Sequence, residues 1–341
     1  MAKRNVVVIG ASAGGVEALR TLVGGLPSDF PAAVLVVLHL PAESPSALPL
    51  ILRRAGSLPV SDAQNDSPLR DGHILVAPPD HHVIVFDDRV ALSRGPRENG
   101  HRPAVDVMFR SAARAKGAQT IGVVLSGALD DGSAGMVAIT LRGGVGVVQD
   151  PSDALHPAMP QNCIEAAQPE HVLPVEKIPA LLCELVQQEV DGAAAEASEL
   201  MKMETAMADL DRSALNDPDR PGEPAGLSCP DCNGTLFQIQ EGGLLRFRCR
   251  VGHAWSPQNL LAEQAASLEG ALWIALRSLE EKAALSRDMS ARATARGHGR
   301  TADRFADDGQ EAVNAANLVR DLIVRIASGT ISLIEETEKS G

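Results

Sequence analysis

The feature that most constrains this chain is a series of short aliphatic runs that alternate with helix-like segments between residues 5 and 190. Val6–Ile9 and Ala33–Leu38 contain no polar residue, and Ile74–Ala77, Ile121–Leu125 and Val145–Val148 are similarly apolar. Runs of this kind predict strands that are buried on both faces, which require helices on each side of a parallel sheet. The sequence therefore predicts an α/β fold with a doubly wound, mostly parallel sheet of the Rossmann-like type.

Helical patterns fill most of the intervals between these strands. The predicted helices are Val16–Val23, Ser46–Arg54, Val105–Ala115, Ala134–Leu141, Pro160–Ala167 and Ile178–Val186. Asp87 and Asp88 separate two further apolar runs, Val83–Phe86 and Val90–Leu92, which predicts a hairpin. A short strand is expected at His171–Pro174.

The pattern changes after residue 190, and it divides the chain into four parts. Residues 1–190 form the predicted catalytic domain, and residues 191–226, with alanine, acidic and proline-rich stretches, form a predicted linker. Residues 227–258 are a compact Cys/His module, which is predicted to be zinc-ribbon-like. Residues 259–341 are predicted to form a helical hairpin and tail, because two heptad-like apolar series are separated by Gly297 and Gly299.

Charge and hydropathy exclude several classes of partner. The formal net charge is −13, so a nucleic-acid partner that needs a basic surface is not expected. No stretch approaches the length of about 18 apolar residues that a membrane span requires, so no membrane insertion is expected. The first apolar run is too short for a signal peptide. We therefore expect a cytoplasmic protein.

The turn after the first strand carries a candidate nucleophile. Its sequence, Gly10-Ala11-Ser12-Ala13-Gly14, fits the pattern G-x-S-x-G and lies between a strand and a helix. The same turn is also compatible with simple anion binding at a helix N-terminus, and the motif alone does not decide between the two. A dinucleotide fingerprint is disfavoured because Ser12 occupies the position of its second glycine.

Two further polar residues follow predicted strands. His39 ends the second strand, and the pair Asp130-Asp131 follows the strand Ile121–Leu125. The carboxyl ends of parallel strands meet at one edge of the sheet, so these side chains are expected to converge on Ser12. A serine nucleophile needs a base and a group that orients the base. This convergence favours a hydrolase.

Several longer segments support a family resemblance. They are IGASAGGVEAL around Ser12, VVLHLP around His39, GHILVAPPDHH at 72–82, HRPAVDVMFRSAA at 101–113, GVVLSGALDDGSAGM at 122–136 and QDPSDALHPAMPQNCIEA at 149–166. In this order they make residues 5–186 similar to the catalytic domain of the chemotaxis protein-glutamate methylesterases, the CheB family. No receiver domain is recognised before the catalytic domain.

The resemblance implies a mechanism and a partner. Ser12 would be the nucleophile, His39 the general base and Asp131 the orienting acid, in the hydrolysis of glutamyl methyl esters and often also in glutamine deamidation. The substrate would be a methylated chemoreceptor or related signalling protein, with an unknown regulatory partner and no cofactor for catalysis. Two positions depart from the family: Ala13 replaces its usual threonine, and Ala128 replaces its usual methionine.

The Cys/His module contains a predicted metal site. Cys229 and Cys232 are separated from Cys249 and His253 by sixteen residues, with two ligands at each end of a predicted hairpin. Four ligands of this kind suit a closed, structural Zn²⁺ site and leave no open position for catalysis. Because the module lies outside the resemblance, an alternative function remains. The chain could be a signalling scaffold that uses a catalytically weak domain and a zinc/helical module to bind a partner. Because the helical hairpin is expected to face away from the predicted catalytic residues, residues 1–190 alone should keep activity on a small ester and lose partner binding or regulation.

Overall fold

The computed structural model describes residues 2–41, 43, 46–190, 196–217 and 222–327. Residues Met1–Leu260 form one compact unit and Leu261–Gly341 form a second. Part of the predicted linker and the tail beyond residue 327 lie outside the described residues.

The first unit contains sixteen strands among its described residues. They are β1 (Ala2–Lys3), β2 (Val6–Ala11), β3 (Ala33–Leu38), β4 (Val60–Asp62), β5 (Ser67–Pro68), β6 (Ile74–Val76), β7 (His82–Phe86), β8 (Arg89–Ser93), β9 (Thr120–Val124), β10 (Val145–Gln149), β11 (His171–Leu173), β12 (Glu189–Val190), β13 (Glu223–Ser228), β14 (Thr235–Glu241), β15 (Leu244–Cys249) and β16 (Ala254–Trp255).

The described residues contain ten α-helices. They are α1 (Gly15–Gly24), α2 (Leu48–Ala55), α3 (Val105–Lys116), α4 (Ser133–Leu141), α5 (Ala158–Ala167), α6 (Ile178–Leu185), α7 (Glu199–Ala208), α8 (Arg212–Asn216), α9 (Pro257–Ala295) and α10 (Gly299–Ala327).

The central sheet confirms the predicted α/β class. It has seven strands in the order β11-β10-β9-β2-β3-β6-β4, and every neighbouring pair is parallel. Alternate side chains of its strands enter two separate apolar cores. One core packs Leu19, Leu52 and Leu182 from α1, α2 and α6, and the other packs Met108, Ile139 and Met159 from α3, α4 and α5. The sheet is therefore covered on both faces, as continuous aliphatic strands require.

Short strands account for most of what the sequence pattern missed. β4 was not predicted, although it forms an edge of the central sheet, because its three residues carry no alternating or aliphatic pattern. The predicted hairpin is confirmed as β7 and β8, and β5 adds a third strand beside β8. Strands of two or three residues are held by their neighbours in the fold and leave little trace in the sequence.

The segment predicted to be a linker contains two helices among its described residues, α7 and α8. α7 is an integral part of the first unit, since Met201 lies in the core beside α3 and Glu204 is fully buried. Ser198 caps this helix by accepting a hydrogen bond from the Met201 amide. The predicted division of the chain into four parts stays a prediction. Within the segment predicted to be a linker, however, α7 packs into the hydrophobic core of the first unit.

The Cys/His module folds as an antiparallel sheet of four strands, β13-β14-β15-β16. The hairpin predicted within it corresponds to β14 and β15. Trp255 and Phe247 pack with Leu236 and Leu260 in a small core of the module.

The two predicted C-terminal helices are confirmed as α9 and α10, which pack on each other through Leu276, Ala316 and Ile323. The predicted apolar seam is only partly correct, since Leu261 and Leu268 are exposed. α9 has 39 residues and α10 has 29. No helix among the described residues is both long and apolar enough to cross a membrane.

Candidate active site

The order of the strands creates a crevice at the carboxyl end of β2. Within the sheet, β3 lies next to β2 on one side and β9 lies next to β2 on the other. The order of the strands therefore changes direction at β2. Ligands bind at such a switch point in doubly wound sheets. Ser12 follows β2, His39 follows β3 and Asp131 lies in the loop after β9. The three predicted residues are therefore brought to one edge of the sheet.

Close backbone packing shapes the turn that carries Ser12. Gly14 has φ 72° and precedes α1, and a β-carbon there would also collide with Ser126 and Leu155. A β-carbon on Gly127 would lie 2.9 Å from the Ser12 Cβ and 2.3 Å from the Met159 sulfur. Only glycine fits where the loop after β9 approaches the serine this closely.

His39 joins Ser12 to Asp131. Its Nδ1 lies 3.2 Å from Ser12 Oγ, and its Nε2 lies 2.8 Å from Asp131 Oδ2. In the neutral ring, the carboxylate favours a proton on Nε2, which leaves Nδ1 free to accept the serine proton. The sequence could predict this constellation but not which ring nitrogen faces each partner.

Asp131 is a buried carboxylate with several donors. Besides His39, it accepts hydrogen bonds from the amides of Val105 and Asp106, at 2.7 and 3.2 Å, and from Asn99 Nδ2 at 3.0 Å. The two amides belong to the first turn of α3, whose positive end favours an anion. Burial opposes ionisation, but the hydrogen bond and charge of His39 outweigh it and lower the pKa of Asp131 below its usual range.

The neighbouring Asp130 points to a different set of partners. Its Oδ1 accepts a hydrogen bond from Ser256 Oγ at 2.6 Å and another from Asn259 Nδ2. Burial is the main reason why the pKa of Asp130 is raised to about 6, and Asp131 adds to the effect. Of the two adjacent carboxylates, only Asp131 bonds the His39 ring in the structure, as the sequence resemblance implied.

An open cleft of about 400 Å³ lies beside His39 and is lined by His101, Arg97 and Arg102 among other residues. The rings of His101 and His39 stack with centroids 3.7 Å apart and an interplanar angle of 14°. Burial, followed by the nearby His39, lowers the pKa of His101 to about 4. His101 is therefore a neutral wall of the site near pH 7.

The two arginines of the cleft differ. Arg102 donates to Asp80 at 2.8 Å and to the Gly95 carbonyl at 2.9 Å, so it braces the loop. Arg97 is exposed and is the better placed of the two to meet a charged substrate. The exposure of Arg97 and the stacking of His101 could not be predicted from the sequence, because both depend on the path of the loop.

The family model for the CheB methylesterase matches residues 7–182, more than half of the 341 residues. The chain belongs to the CheB methylesterase family. The match includes Ser12, His39 and Asp131 and ends before the Cys/His module.

Relatives of this CheB-family chain agree with that assignment. Protein-glutamate methylesterase/protein-glutamine glutaminase 2 of Methanosarcina mazei is 36% identical over 192 residues, which cover 54% of this chain and 52% of that protein. The protein of the same name from Pseudomonas aeruginosa is 37% identical over 196 residues, which cover 56% of each. The chain thus spans about half the length of these two relatives, whereas it spans 96% of a relative from Leptospira interrogans that is 36% identical.

A solved structure gives the same result for the fold. The crystal structure of the Thermotoga maritima CheB methylesterase catalytic domain matches with a TM-score of 0.52 and 33% sequence identity. The match covers all of that domain and 55% of this chain. The shared part is therefore the α/β domain that carries Ser12, His39 and Asp131.

The structure also brings together the four predicted metal ligands. One ligand atom from each of Cys229, Cys232, Cys249 and His253 lies within 4.8 Å of the other three. The Cys232 and Cys249 sulfurs are 3.6 Å apart, and His253 Nδ1 lies 3.5 Å from Cys249 Sγ and 3.7 Å from Cys229 Sγ. These four residues come from the turn between β13 and β14 and from the end of β15 with the turn after it.

A cluster of buried charges, not foreseen from the sequence, joins the Cys/His module to the rest of the unit. Glu204 of α7 accepts two hydrogen bonds from Arg246, at 2.8 and 2.9 Å, and further bonds from Arg248. Arg248 also donates to Glu98 at 2.9 Å, and Arg110 of α3 donates to Glu98 at 2.7 Å. All five side chains are at most 7% exposed. The module is therefore docked through paired charges.

Proposed function

We propose that the chain is a serine esterase that hydrolyses glutamyl methyl esters on a signalling protein, with Ser12, His39 and Asp131 as its catalytic residues. The observation that carries the proposal is the continuous hydrogen-bonded series from Ser12 Oγ through His39 to Asp131. The CheB methylesterase family and its named relatives supply the reaction class.

In the proposed mechanism each step uses a named atom of these residues. Ser12 Oγ attacks the ester carbonyl while its proton passes to His39 Nδ1, and Asp131 stabilises the imidazolium through Nε2. The same Nδ1 then gives the proton to the departing methoxide, which leaves as methanol and creates an acyl-serine. Water, activated by Nδ1, attacks the acyl-serine, and a free glutamate and Ser12 are regenerated.

The negative charge that develops on the carbonyl oxygen needs donors near Ser12. The Ser12 amide is already used, since it donates to the Ser126 carbonyl at 3.0 Å. We therefore assign the oxyanion to backbone amides at the start of α1 and at Ala128 in the loop after β9. The amino end of α1 adds a favourable dipole. Ala128 keeps a backbone donor although its side chain is small.

The substrate is proposed to be an acidic, methylated segment such as that of a chemoreceptor. The exposed Arg97 at the rim of the cleft would attract carboxylates near the esterified residue. The relatives' names also include glutaminase activity. The same acyl-serine would form from a glutamine amide, with ammonia as the leaving group.

The test is incubation of the purified chain with a methylated receptor cytoplasmic segment, with methanol release as the measurement. We expect release by the wild type and none above background by Ser12→Ala. Ammonia release from the same segment with glutamine at the methylation sites measures deamidation separately. A wild type that binds the segment but releases neither product would favour the scaffold alternative.

We further propose that Cys229, Cys232, Cys249 and His253 hold one structural Zn²⁺ ion. Tetrahedral coordination at the usual zinc–sulfur distance of about 2.3 Å places two sulfurs about 3.8 Å apart, close to the 3.6 Å between Cys232 and Cys249. The carboxylate of Asp231 lies 3.9 Å from His253 Nε2 and could orient the ring. With four protein ligands, the ion would cross-link the module and leave no open position for chemistry.

Metal analysis of protein purified without chelators should give one zinc per chain. Cys232→Ser should lower this content and the thermal stability of the module, whereas Cys183→Ser, outside the cluster, should leave the zinc content unchanged. Protein without metal that keeps all its stability would contradict the proposal.

A further inference from the structure

Asn99 lies between the active site and the Cys/His module. It is 6% exposed, and its side chain and its backbone amide all form hydrogen bonds. Its side-chain nitrogen donates to Asp131 Oδ1 and Asp106 Oδ2, both at 3.0 Å. Its side-chain oxygen accepts from the Ser256 amide at 2.9 Å, and its own amide donates to the Ala254 carbonyl at 2.8 Å.

These partners fix the direction of the Asn99 amide. The pKa of Asp131 is lowered, so near neutral pH this carboxylate is ionised and can only accept a hydrogen bond. Asp131 must therefore face the NH₂ group of Asn99, and the Ser256 amide must face the oxygen. The backbone has φ 54°, a conformation that asparagine adopts more readily than most residues. The Asn99 side chain therefore donates a hydrogen bond to Asp131 through its nitrogen and accepts one from the Cys/His module through its oxygen.

The module holds this position from several sides. Glu98, next to Asn99, bonds Arg248 of β15 at 2.9 Å and forms a bridge with Ala254. Asp130, next to Asp131, accepts hydrogen bonds from Ser256 and Asn259. Residues 254–259 lie well beyond residue 182, where the family match ends. Asn99, which bonds Asp131, and the neighbouring Glu98 are thus held by residues of the chain that lie outside the family match.

We propose that the Cys/His module positions Asp131 for catalysis, with Asn99 as the positioning residue that connects them. This inference rests on the proposed esterase function. Asp131 can orient His39 only while its own carboxylate is fixed, and Asn99 supplies the one side-chain donor, besides His39, among its partners in the structure. Release of the module would free Asn99 and allow the carboxylate to rotate away from His39 Nε2.

The first test separates the two functions of the Asn99 amide in the full chain. Asn99→Asp keeps an oxygen for the Ser256 amide but loses the donor to Asp131. We expect kcat on a small ester to fall about 10- to 100-fold, as for a misplaced catalytic group, with KM within about twofold. Asn65→Asp is the matched control, because the Asn65 oxygen only accepts from the Leu92 amide and a carboxylate can replace it.

A second variant guards against misfolding caused by the added charge. Asn99→Gly tolerates the positive φ and adds no carboxylate beside Asp106 and Asp131. It should show the same loss of kcat, and it should also make residues 254–259 more accessible to protease because the acceptor for Ser256 is lost. A wild-type kcat in either Asn99 variant, with normal circular dichroism, would overturn the inference.

The module side is tested by the double variant Ser256→Ala/Asn259→Ala. It removes both side-chain donors to Asp130 and the Ser256 cap of α9, while it alters no group that contacts Asp131, His39 or Ser12. A selective fall in kcat of about 3- to 10-fold is expected, with a parallel fall in the rate at which a fluorophosphonate labels Ser12. Unchanged kcat and labelling would show that the module does not act on the catalytic acid. A wild type without any esterase activity would instead contradict the proposed function itself.

Discussion

The two ring nitrogens of His39 have separate partners, and this separation defines the chemistry at the residue scale. Nδ1 faces the Ser12 hydroxyl and Nε2 faces Asp131. The stacked ring of His101, whose pKa is lowered to about 4 mainly by burial, adds no positive charge beside His39 near neutral pH. The imidazolium that forms during the reaction is thus balanced by Asp131 without a competing cation in the stack.

Replacement of Ser12 by alanine should abolish turnover and leave the fold intact. The loss of a nucleophile that acts together with its base typically lowers kcat by roughly 10⁴- to 10⁶-fold. The Ser12 side chain is small and only partly buried, and its hydroxyl bonds His39, so the unfolding midpoint should change by no more than a few degrees. Hydrolysis of a small ester, followed alongside thermal unfolding, measures both. Near-normal turnover would exclude the covalent mechanism.

The adjacent carboxylates Asp130 and Asp131 should respond differently to the same change. Asp131→Asn removes the charge that orients His39 and stabilises its imidazolium, so kcat should fall by about 10⁴-fold. Asp130→Asn retains an oxygen that can accept hydrogen bonds from Ser256 and Asn259. The fall in kcat caused by this variant should therefore be far smaller. Steady-state kinetics of the pair on one ester decide the assignment, which is wrong if Asp130→Asn is the more damaging.

At the scale of elements, α7 shows how a segment of linker-like composition becomes part of the core. Its Glu204 is fully buried among Arg110, Arg246 and Arg248, which come from α3 and β15. Burial opposes ionisation of this carboxylate, but the arginines outweigh burial and lower the pKa of Glu204 well below its usual range. The helix therefore fastens the Cys/His module to the α/β domain through charge pairs that exclude water.

Glu204→Gln should destabilise the first unit strongly. It removes the buried carboxylate that Arg246 and Arg248 share and leaves them only Glu241 and Glu98 as partners. The removal of one partner from a buried pair costs about 3–5 kcal/mol. Glu199→Gln on the same helix is the matched control. Glu199 pairs with Lys202 on the surface, with a side chain that is 89% exposed, and such a pair contributes about 0–1 kcal/mol. Denaturant unfolding compares the two variants, and equal effects would contradict the proposed docking role.

The same cluster predicts a dependence of stability on pH. A carboxylate whose pKa is lower in the folded state stabilises the fold above its unfolded pKa, and this stability is lost as the pH falls toward the folded value. The wild type should therefore lose stability progressively below about pH 4.5, and Glu204→Gln should lose less over that range. Unfolding free energies measured from pH 7 to pH 3 test the difference. Parallel curves for the two proteins would rule Glu204 out as a source of the effect.

At the scale of the whole molecule, the structure changes the expectation for a truncated chain. The sequence suggested that residues 1–190 would suffice for esterase activity. The compact unit instead extends to Leu260, and Glu98 and Arg110 of the α/β domain share their buried charges with Arg248 and Glu204. Removal of everything after residue 190 would expose this surface and leave Asn99 without Ala254 and Ser256.

Residues 1–190 alone should thus be poorly folded and nearly inactive, whereas residues 1–260 should fold and hydrolyse a small ester. Circular dichroism and ester hydrolysis of the two truncated chains, compared with the full chain, check this. Full activity of residues 1–190 would show that the module is dispensable for the chemistry. Loss of activity in residues 1–260 would mean that the C-terminal helices also contribute to the site.

The sequence by itself determined the central fold and the candidate catalytic residues. Aliphatic strands such as Val6–Ile9 and Ala33–Leu38 have only one low-energy environment, a sheet covered on both faces, and polar residues that end such strands must meet at one edge. Ser12, His39 and the pair Asp130-Asp131 could be selected for this reason, and the family resemblance favoured Asp131 of that pair. The four residues of the Cys/His cluster could be selected by spacing alone.

Only the tertiary structure decided how these parts depend on one another. Glu98, Asn99 and Glu204 look like ordinary surface residues in the sequence, because a polar residue gives no sign of the partner it will find far along the chain. Asn99 and Ser256 are 157 positions apart, and Glu204 and Arg246 are 42 apart. Their burial is favourable only after both partners are in place, so the attachment of the Cys/His module to the catalytic acid is a property of the folded molecule.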